Sequence, residues 1–231
     1  MDFTELKRQA GERAAEFVES GMVVGLGTGS TAVFATLAIG QKLQNGRLRQ
    51  IIAIPTSEQT ARQAAQAGIP LTTLTNHPIV DLTIDGADEI DPDLNLIKGL
   101  GGALLREKIV ATASKRLIIV ADQSKLIARL GMRVPLPVEV IPFALRPVQE
   151  FLVTLGARPE LRSDKSGQRP FLTDENNYIL DCVFPNGITD PVALAQSIRA
   201  RPGVVEHGLF LGLADLAIVA TADGIREIGK V

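Results

Sequence analysis

The stretch MVVGLGTGSTAVF at 22–34 decides how the rest of the chain is read. Met22 to Leu26 is a short apolar run of strand length, and GTGST at 27–31 follows it directly. An uncharged segment from about Ala32 to Leu43 then has the length of a helix and stops at Asn45 and Gly46. Strand, glycine loop and helix in that order begin an α/β unit. Glycines let backbone amides approach an anion, the helix terminus supplies partial positive charge, and Ser30 and Thr31 add hydroxyl donors. A phosphate is the natural ligand. The same letters also fit the relaxed dinucleotide pattern G-x-G-x-x-A, but the second strand ends in Ile54, Pro55, Thr56 and Ser57, where an acidic residue would meet a ribose, and Glu58 falls past that spot. Taken alone, the loop fits a ligand-free tight turn equally well.

The pattern repeats outward from this point. Upstream, Phe3, Leu6, Ala10, Ala14, Phe17 and Val18 recur at helical spacing, with Asp2 and Glu5 as a capping pair and Gly21 as a stop. Downstream, strands are expected at Ile51–Ile54, Leu71–Leu74, Val80–Ile84 and Arg116–Ala121. Helices are expected near Glu58–Ala67 and from the glycine-rich segment after Lys98 to about Ala113. Such alternation predicts a parallel sheet covered on both faces.

From Gly131 the texture changes. VPLPVEVIP at 134–142 sets prolines among β-branched residues and reads as an edge strand or a domain crossover. A helix at Pro147–Leu155, strands at Ala157–Leu161, Phe171–Thr173 and Tyr178–Phe184, a helix at Pro191–Ala200 and a strand at Val204–Leu209 follow. That order fits a small α+β insertion of split βαβ type. Leu216–Ala220 is expected to return to the first sheet. The domains are thus 1–130 plus 205–231, the sheet that carries the loops, and 131–204, a smaller α+β domain suited to oligomerisation.

Composition narrows the function. The 231 residues are 45% hydrophobic and 22% charged, ordinary globular usage. Lys plus Arg is 24 against 26 Asp plus Glu, a net charge of −2, so the basic surplus of a nucleic-acid or polybasic membrane-surface protein is missing. Segment 20–41 is uncharged, but GLGTGST at its centre breaks any membrane span. The N-terminus mixes charges without a secretory apolar stretch, which predicts a cytoplasmic protein. Cys182 is the single cysteine and reads as a buried strand residue; His77 and His207 have no partner at catalytic spacing.

Two further loops carry chemistry. Asp85, Gly86, Ala87, Asp88 and Glu89 follow an apolar strand, and three carboxylates in so short a span repel one another, which raises a pKa and suits proton transfer. They are equally a candidate divalent-metal set or a solvated acidic turn. Lys98, at the mouth of Gly99, Leu100, Gly101 and Gly102, is suited to neutralising a phosphate or a developing oxyanion, with Glu107 a few residues into the following helix. Lys125 follows the Leu117–Ala121 strand onto the same edge, because in a parallel sheet the loops after the strands converge at one side.

GTGSTA at 27–32, DGADEID at 85–91, KGLGGALLREK at 98–108, ADQSK at 121–125, PLPVEVIP at 135–142, PGVVEHGLF at 202–210 and DGIREI at 223–228 together resemble the type A ribose-5-phosphate isomerases. The resemblance covers essentially the whole chain. It implies a Rossmann-like doubly wound sheet with an inserted ferredoxin-like domain, and an aldose–ketose isomerase acting on a phosphorylated pentose with neither metal nor nucleotide. It makes Glu107 the proton acceptor, with Asp85 and Lys98 also catalytic. It makes Thr28, Gly29, Ser30, Thr31, Asp85, Gly86, Ala87, Asp88, Lys98, Gly99, Leu100, Gly101 and Lys125 substrate contacts. One departure is Leu100, where the family usually has glycine; a positive φ there would strain a leucine. A homodimer or homotetramer is expected. A noncatalytic sugar-phosphate sensor is the alternative from another class.

Overall fold

The computed structural model describes residues 3–229. The chain runs α1 (Phe3–Ala14), β1 (Val23–Leu26), α2 (Ala32–Gln44), β2 (Ile52–Pro55), α3 (Glu58–Gln66), β3 (Leu82–Gly86), β4 (Glu89–Ile90), β5 (Leu96–Ile97) and α4 (Leu104–Thr112). It continues through β6 (Leu117–Asp122), β7 (Leu136–Val140), α5 (Leu145–Thr154), β8 (Arg158–Leu161) and β9 (Tyr178–Val183). It ends with α6 (Pro191–Arg199), β10 (Val204–His207), β11 (Leu209–Phe210), β12 (Leu216–Thr221) and β13 (Gly224–Gly229). Asp2 of the expected capping pair lies outside the described residues, as does the Phe3 side chain; Glu5 pairs with Arg8 at 2.6 Å.

Two compact units share these elements. The first holds Met1–Ala87, Arg106–Lys125 and Leu213–Val231, the second Asp88–Leu105 and Leu126–Gly212. The division therefore differs from the one drawn on sequence: 88–105, 126–130 and 205–212 group with the smaller fold.

In the first unit, six strands lie in the order β13-β12-β6-β3-β1-β2, all parallel except β13. The five parallel strands follow the 2-1-3-4-5 order of doubly wound sheets, whose switch point falls between β1 and β3. β6 (LIIVAD) is buried throughout, as an unbroken apolar run in a central parallel strand requires. Leu6, Ala10 and Ala14 of α1 and Ala35 and Ile39 of α2 pack against Val24, Leu26, Ile84, Ile118 and Val120. Val110 of α4 packs with Ile54 and Val80 in a separate cluster. The strand expected at Leu71–Leu74 reduces to one bridge between Leu71 and Ala53. The amides of Asn76 and His77 both donate to Thr73 O and turn the chain away before a ladder can extend.

In the second unit, β7-α5-β8-β9-α6-β10 builds an antiparallel sheet of order β10-β7-β9-β8, the split βαβ arrangement. Val148 and Leu152 of α5 and Ile198 of α6 cover Val138, Val140, Leu180 and Cys182. Three expectations are corrected here. β7 is an interior strand, paired on both sides, and not an edge. Pro137 is tolerated because its missing N–H would face Gly208, just past the end of β10. Phe171–Thr173 forms no strand; its backbone closes a turn through Asn176 N–H to Thr173 O, and Asn176 has a φ of 61°. Val204–Leu209 breaks at Gly208, so that Leu209 and Phe210 join β5 and β4 in a three-stranded sheet.

Candidate active site

The first unit carries the anion loop. Parallel strands put the residues after β1, β2, β3 and β6 on one edge of the sheet, so Thr28–Thr31, Thr56–Ser57, Ala87 and Lys125 share it. Asp85, at the end of β3, is buried, and its Oδ1 accepts the amides of Thr28 at 3.1 Å and Gly86 at 2.7 Å. The Thr28 hydroxyl turns inward to Thr56 and Ser57, each at 2.8 Å, and Thr60 at 3.0 Å, so its side chain ties the loop to the start of α3. Ser30 and Gly29 are exposed, Gly29 with a φ of 131°, and no side chain caps the N-terminus of α2. The amides of Val33 and Phe34 donate to Gly29 O and Thr31 O, but no side chain covers the start of this 13-residue helix, whose partial positive charge faces the exposed Gly29 and Ser30.

A cation missed on sequence stands at this loop. Lys7 Nζ donates to Ser30 Oγ at 3.0 Å. A Cβ on Gly11 would lie 2.7 Å from Ala35 N, so α1 crosses the start of α2 closely, and Lys7, one turn earlier on the same face, reaches the loop. A lysine on an amphipathic helix carries no sequence mark of such a role.

Glu107 is buried in the first turn of α4. Its level along the sheet follows from its neighbours. Ala113 O, just past the end of α4, accepts Val80 N at the amino end of β3, and Val110 Cγ1 would lie 2.8 Å from a Cβ on Gly25 in β1. Glu107 stands three residues before Val110, ~4.5 Å further toward the carboxyl ends of the strands, level with the start of the 27–31 loop. It is thus at the same end of the sheet as Asp85 and Ser30. Its neighbour Arg106 pairs with Glu58 at 2.8 Å, which gives that carboxylate a structural partner in place of a ribose.

The second unit carries Asp88 and the Lys98 loop. Lys98 is buried, its amide donates to Gly208 O at 2.9 Å, and its ammonium lies 5.4 Å from the Phe210 ring centroid. Pro137 offers no N–H to Gly208 O, which leaves that carbonyl for Lys98. The loop closes with Gly102 N–H on Gly99 O at 3.0 Å, and Asp88 Oδ2 accepts Leu100 N–H at 3.0 Å. Leu100 is not among the residues with positive φ; Gly99 and Gly102 take those angles, at 104° and 82°, so leucine sits unstrained.

The acidic triplet is not one cluster. Glu89 is buried, and its carboxylate accepts the amides of Gly131 at 2.6 Å, Arg133 at 2.7 Å and Val134 at 3.1 Å, a structural role. Among the described residues, no group of three His, Cys, Asp or Glu side chains is arranged to hold a metal ion. His77 Nδ1 lies 2.8 Å from Thr72 Oγ1, and His207 Nδ1 accepts the Leu209 amide. Burial pushes the Cys182 thiol well above its ordinary pKa, and Asp181 adds to the shift, so it is inert.

The first unit thus carries an uncapped helix terminus with a lysine and a buried carboxylate at the same sheet end, and the second a glycine-rich lysine loop, within an α/β protein. Residues 52–224 match the model of the family described as ribose 5-phosphate isomerase A (phosphoriboisomerase A). The ribose-5-phosphate isomerase A of Roseiflexus castenholzii is 57% identical over 228 residues, 99% of this chain and 97% of that one. A ribose 5-phosphate isomerase structure from Plasmodium falciparum matches with a TM-score of 0.95 at 40% identity, covering 98% and 99% of the two chains. A D-ribose-5-phosphate isomerase in complex with phospho-erythronic acid matches at 0.97 and 39% identity, over 100% of both. The chain belongs to the ribose 5-phosphate isomerase A family.

Proposed function

We propose that this protein interconverts D-ribose 5-phosphate and D-ribulose 5-phosphate through an enediolate, in the non-oxidative pentose phosphate pathway. The substrate phosphate binds Gly29, Ser30 and Thr31, the α2 terminus, Lys7 and Lys125. The Glu107 carboxylate takes the proton from C2, and the C–H electron pair forms the C1–C2 double bond while charge moves onto O1. A proton then passes from O2 to O1, and Glu107 returns the first proton to C1 as the carbonyl forms at C2. Lys98 and the amides of its loop stabilise the oxygen that carries the charge. Asp85 and Asp88 hold sugar hydroxyls and assist ring opening.

The observation that carries this reading is the buried Glu107 at the same sheet end as an open, lysine-flanked anion loop. The noncatalytic alternative is not favoured, since the named relatives are isomerases. The test is conversion of ribose 5-phosphate to the ketose, followed by its absorbance, with a chelator present and no nucleotide added. Turnover is expected; its loss on chelation would return Asp85 and Asp88 to a metal role.

The same proposal includes a cytoplasmic location and a homodimer or homotetramer. Support for self-association comes from apolar side chains of the second unit left in solvent, Phe143 at 95% and Val153 at 57% exposure.

A further inference from the structure

We propose that Arg162, outside every motif singled out in the sequence, is a positioning residue for the isomerisation; this rests on the reading of the Lys98 loop as the oxyanion site. Its Nη1 donates to Gly99 O at 3.0 Å and to Leu100 O at 3.1 Å. The guanidinium is itself fixed, with Nε 2.8 Å from Asp181 Oδ2 and Nη2 2.5 Å from Asp181 Oδ1. It also stacks on Phe171, with Cζ 5.8 Å from the ring centroid. Phe171 in turn presses on the loop: a Cβ on Gly102 would lie 2.4 Å from its Cζ. A bidentate, largely buried ion pair on the β8–β9 hairpin thus grips both carbonyls of the tip.

The grip matters because a trans peptide holds its C=O and N–H on opposite sides. Fixing Gly99 O on Arg162 turns the Leu100 N–H away, where it meets Asp88 at 3.0 Å. Fixing Leu100 O turns the Gly101 N–H away in the same manner. Glycines on both sides of Leu100 leave these peptides little intrinsic preference between the two orientations. Released from Arg162, the Leu100–Gly101 peptide flips and presents its carbonyl oxygen in place of its amide, while the Gly99–Leu100 peptide keeps Gly102 N–H and Asp88 as partners. A carbonyl facing a developing enediolate opposes the charge that Lys98 stabilises. Arg162 therefore acts on the charged intermediate through the loop and leaves phosphate binding to the other unit.

The test compares Arg162→Met, Arg162→Lys and Lys98→Met in three readouts: kcat on ribose 5-phosphate, inhibition by phospho-erythronic acid, whose carboxylate resembles the planar enediolate, and inhibition by inorganic phosphate. Arg162→Met is expected to lower kcat and phospho-erythronate affinity together by ~10–100-fold, the effect of losing a charged hydrogen bond, with phosphate inhibition unchanged. Arg162→Lys keeps charge and stem without the planar fork, guards against a folding failure of the first variant, and is expected to show a smaller loss of the same pattern. Two results overturn the proposal: Arg162 variants with wild-type kcat and phospho-erythronate affinity, or phosphate affinity falling in step with both. Lys98→Met separates the two readings. If it loses kcat while the Arg162 variants do not, the positioning role alone falls; if it keeps wild-type kcat, the oxyanion loop falls and Arg162 with it.

Discussion

Gly27 and Asp85 stand so close that a Cβ on Gly27 would lie 2.2 Å from Asp85 Oδ1. The carboxylate that organises the anion loop occupies the space where a side chain would be. Gly27→Ala must push Asp85 off the Thr28 and Gly86 amides. Overpacking of this kind costs ~1–3 kcal/mol, seen as a lower melting temperature. kcat/KM is expected to fall ~100-fold, in line with the effect of ångström-scale misplacement at a site. Wild-type kinetics in a folded Gly27→Ala protein would refute the role given to this contact.

Glu107→Gln keeps shape and removes the base. Turnover is expected to drop ~10²–10⁴-fold, the usual contribution of a general base, while KM stays within a few-fold. Steady-state assays on ribose 5-phosphate decide it, and near-normal kcat would remove Glu107 from the mechanism.

Lys7 tests the phosphate half separately. Lys7→Met removes the cation at Ser30, and KM is expected to rise ~10-fold with a smaller change in kcat. Salt should weaken wild-type binding more than variant binding, because the partly exposed charge is screened. Equal salt dependence would show that Lys7 does not face the phosphate.

Gly208→Ala probes how Lys98 is held, since a Cβ there would lie 2.3 Å from Lys98 O. The variant is expected to melt at lower temperature by overpacking worth ~1–3 kcal/mol and to lose kcat more than KM. A variant that melts lower yet keeps full kcat would separate the β10–β11 junction from catalysis.

Glu139 predicts a pH effect on stability remote from the chemistry. Burial raises its pKa, opposed by hydrogen bonds from Asn177 and Thr173, with Glu175 and Glu206 raising it further. A carboxyl whose folded pKa is raised contributes fully below its unfolded pKa and loses that contribution as pH rises through the folded value. Glu139→Gln carries no such charge. Melting temperatures of the two proteins should therefore diverge in favour of the variant as pH rises from about 4 to 8. Parallel curves would show that Glu139 stays ionised in the fold.

What the amino-acid order determined by itself was local. Apolar runs mark β1, β3 and β6, with glycine at the exit of the first two, because a strand buried on both faces needs continuous hydrophobicity and a tight exit loop needs freedom. Those strands, the β-α-β-β-α-β order of the smaller fold, and the residues of the three loops are all readable from spacing and composition. Pairing was not. Pro137 marks an edge strand by every local rule, yet β7 lies inside its sheet because Gly208 faces the missing N–H and passes its carbonyl to Lys98. Asp85, Asp88 and Glu89 look like one acidic cluster along the chain. The folded protein sends Glu89 to the 131–134 amides and Asp85 to Thr28, because β3 ends at Gly86, Glu89 starts a separate strand, and each buried carboxylate must find donors. Lys7 and Arg162 reach their loops from a helix and a hairpin far off in sequence. Only tertiary packing decides such contacts, since they depend on crossing distances and sheet register that no single segment encodes.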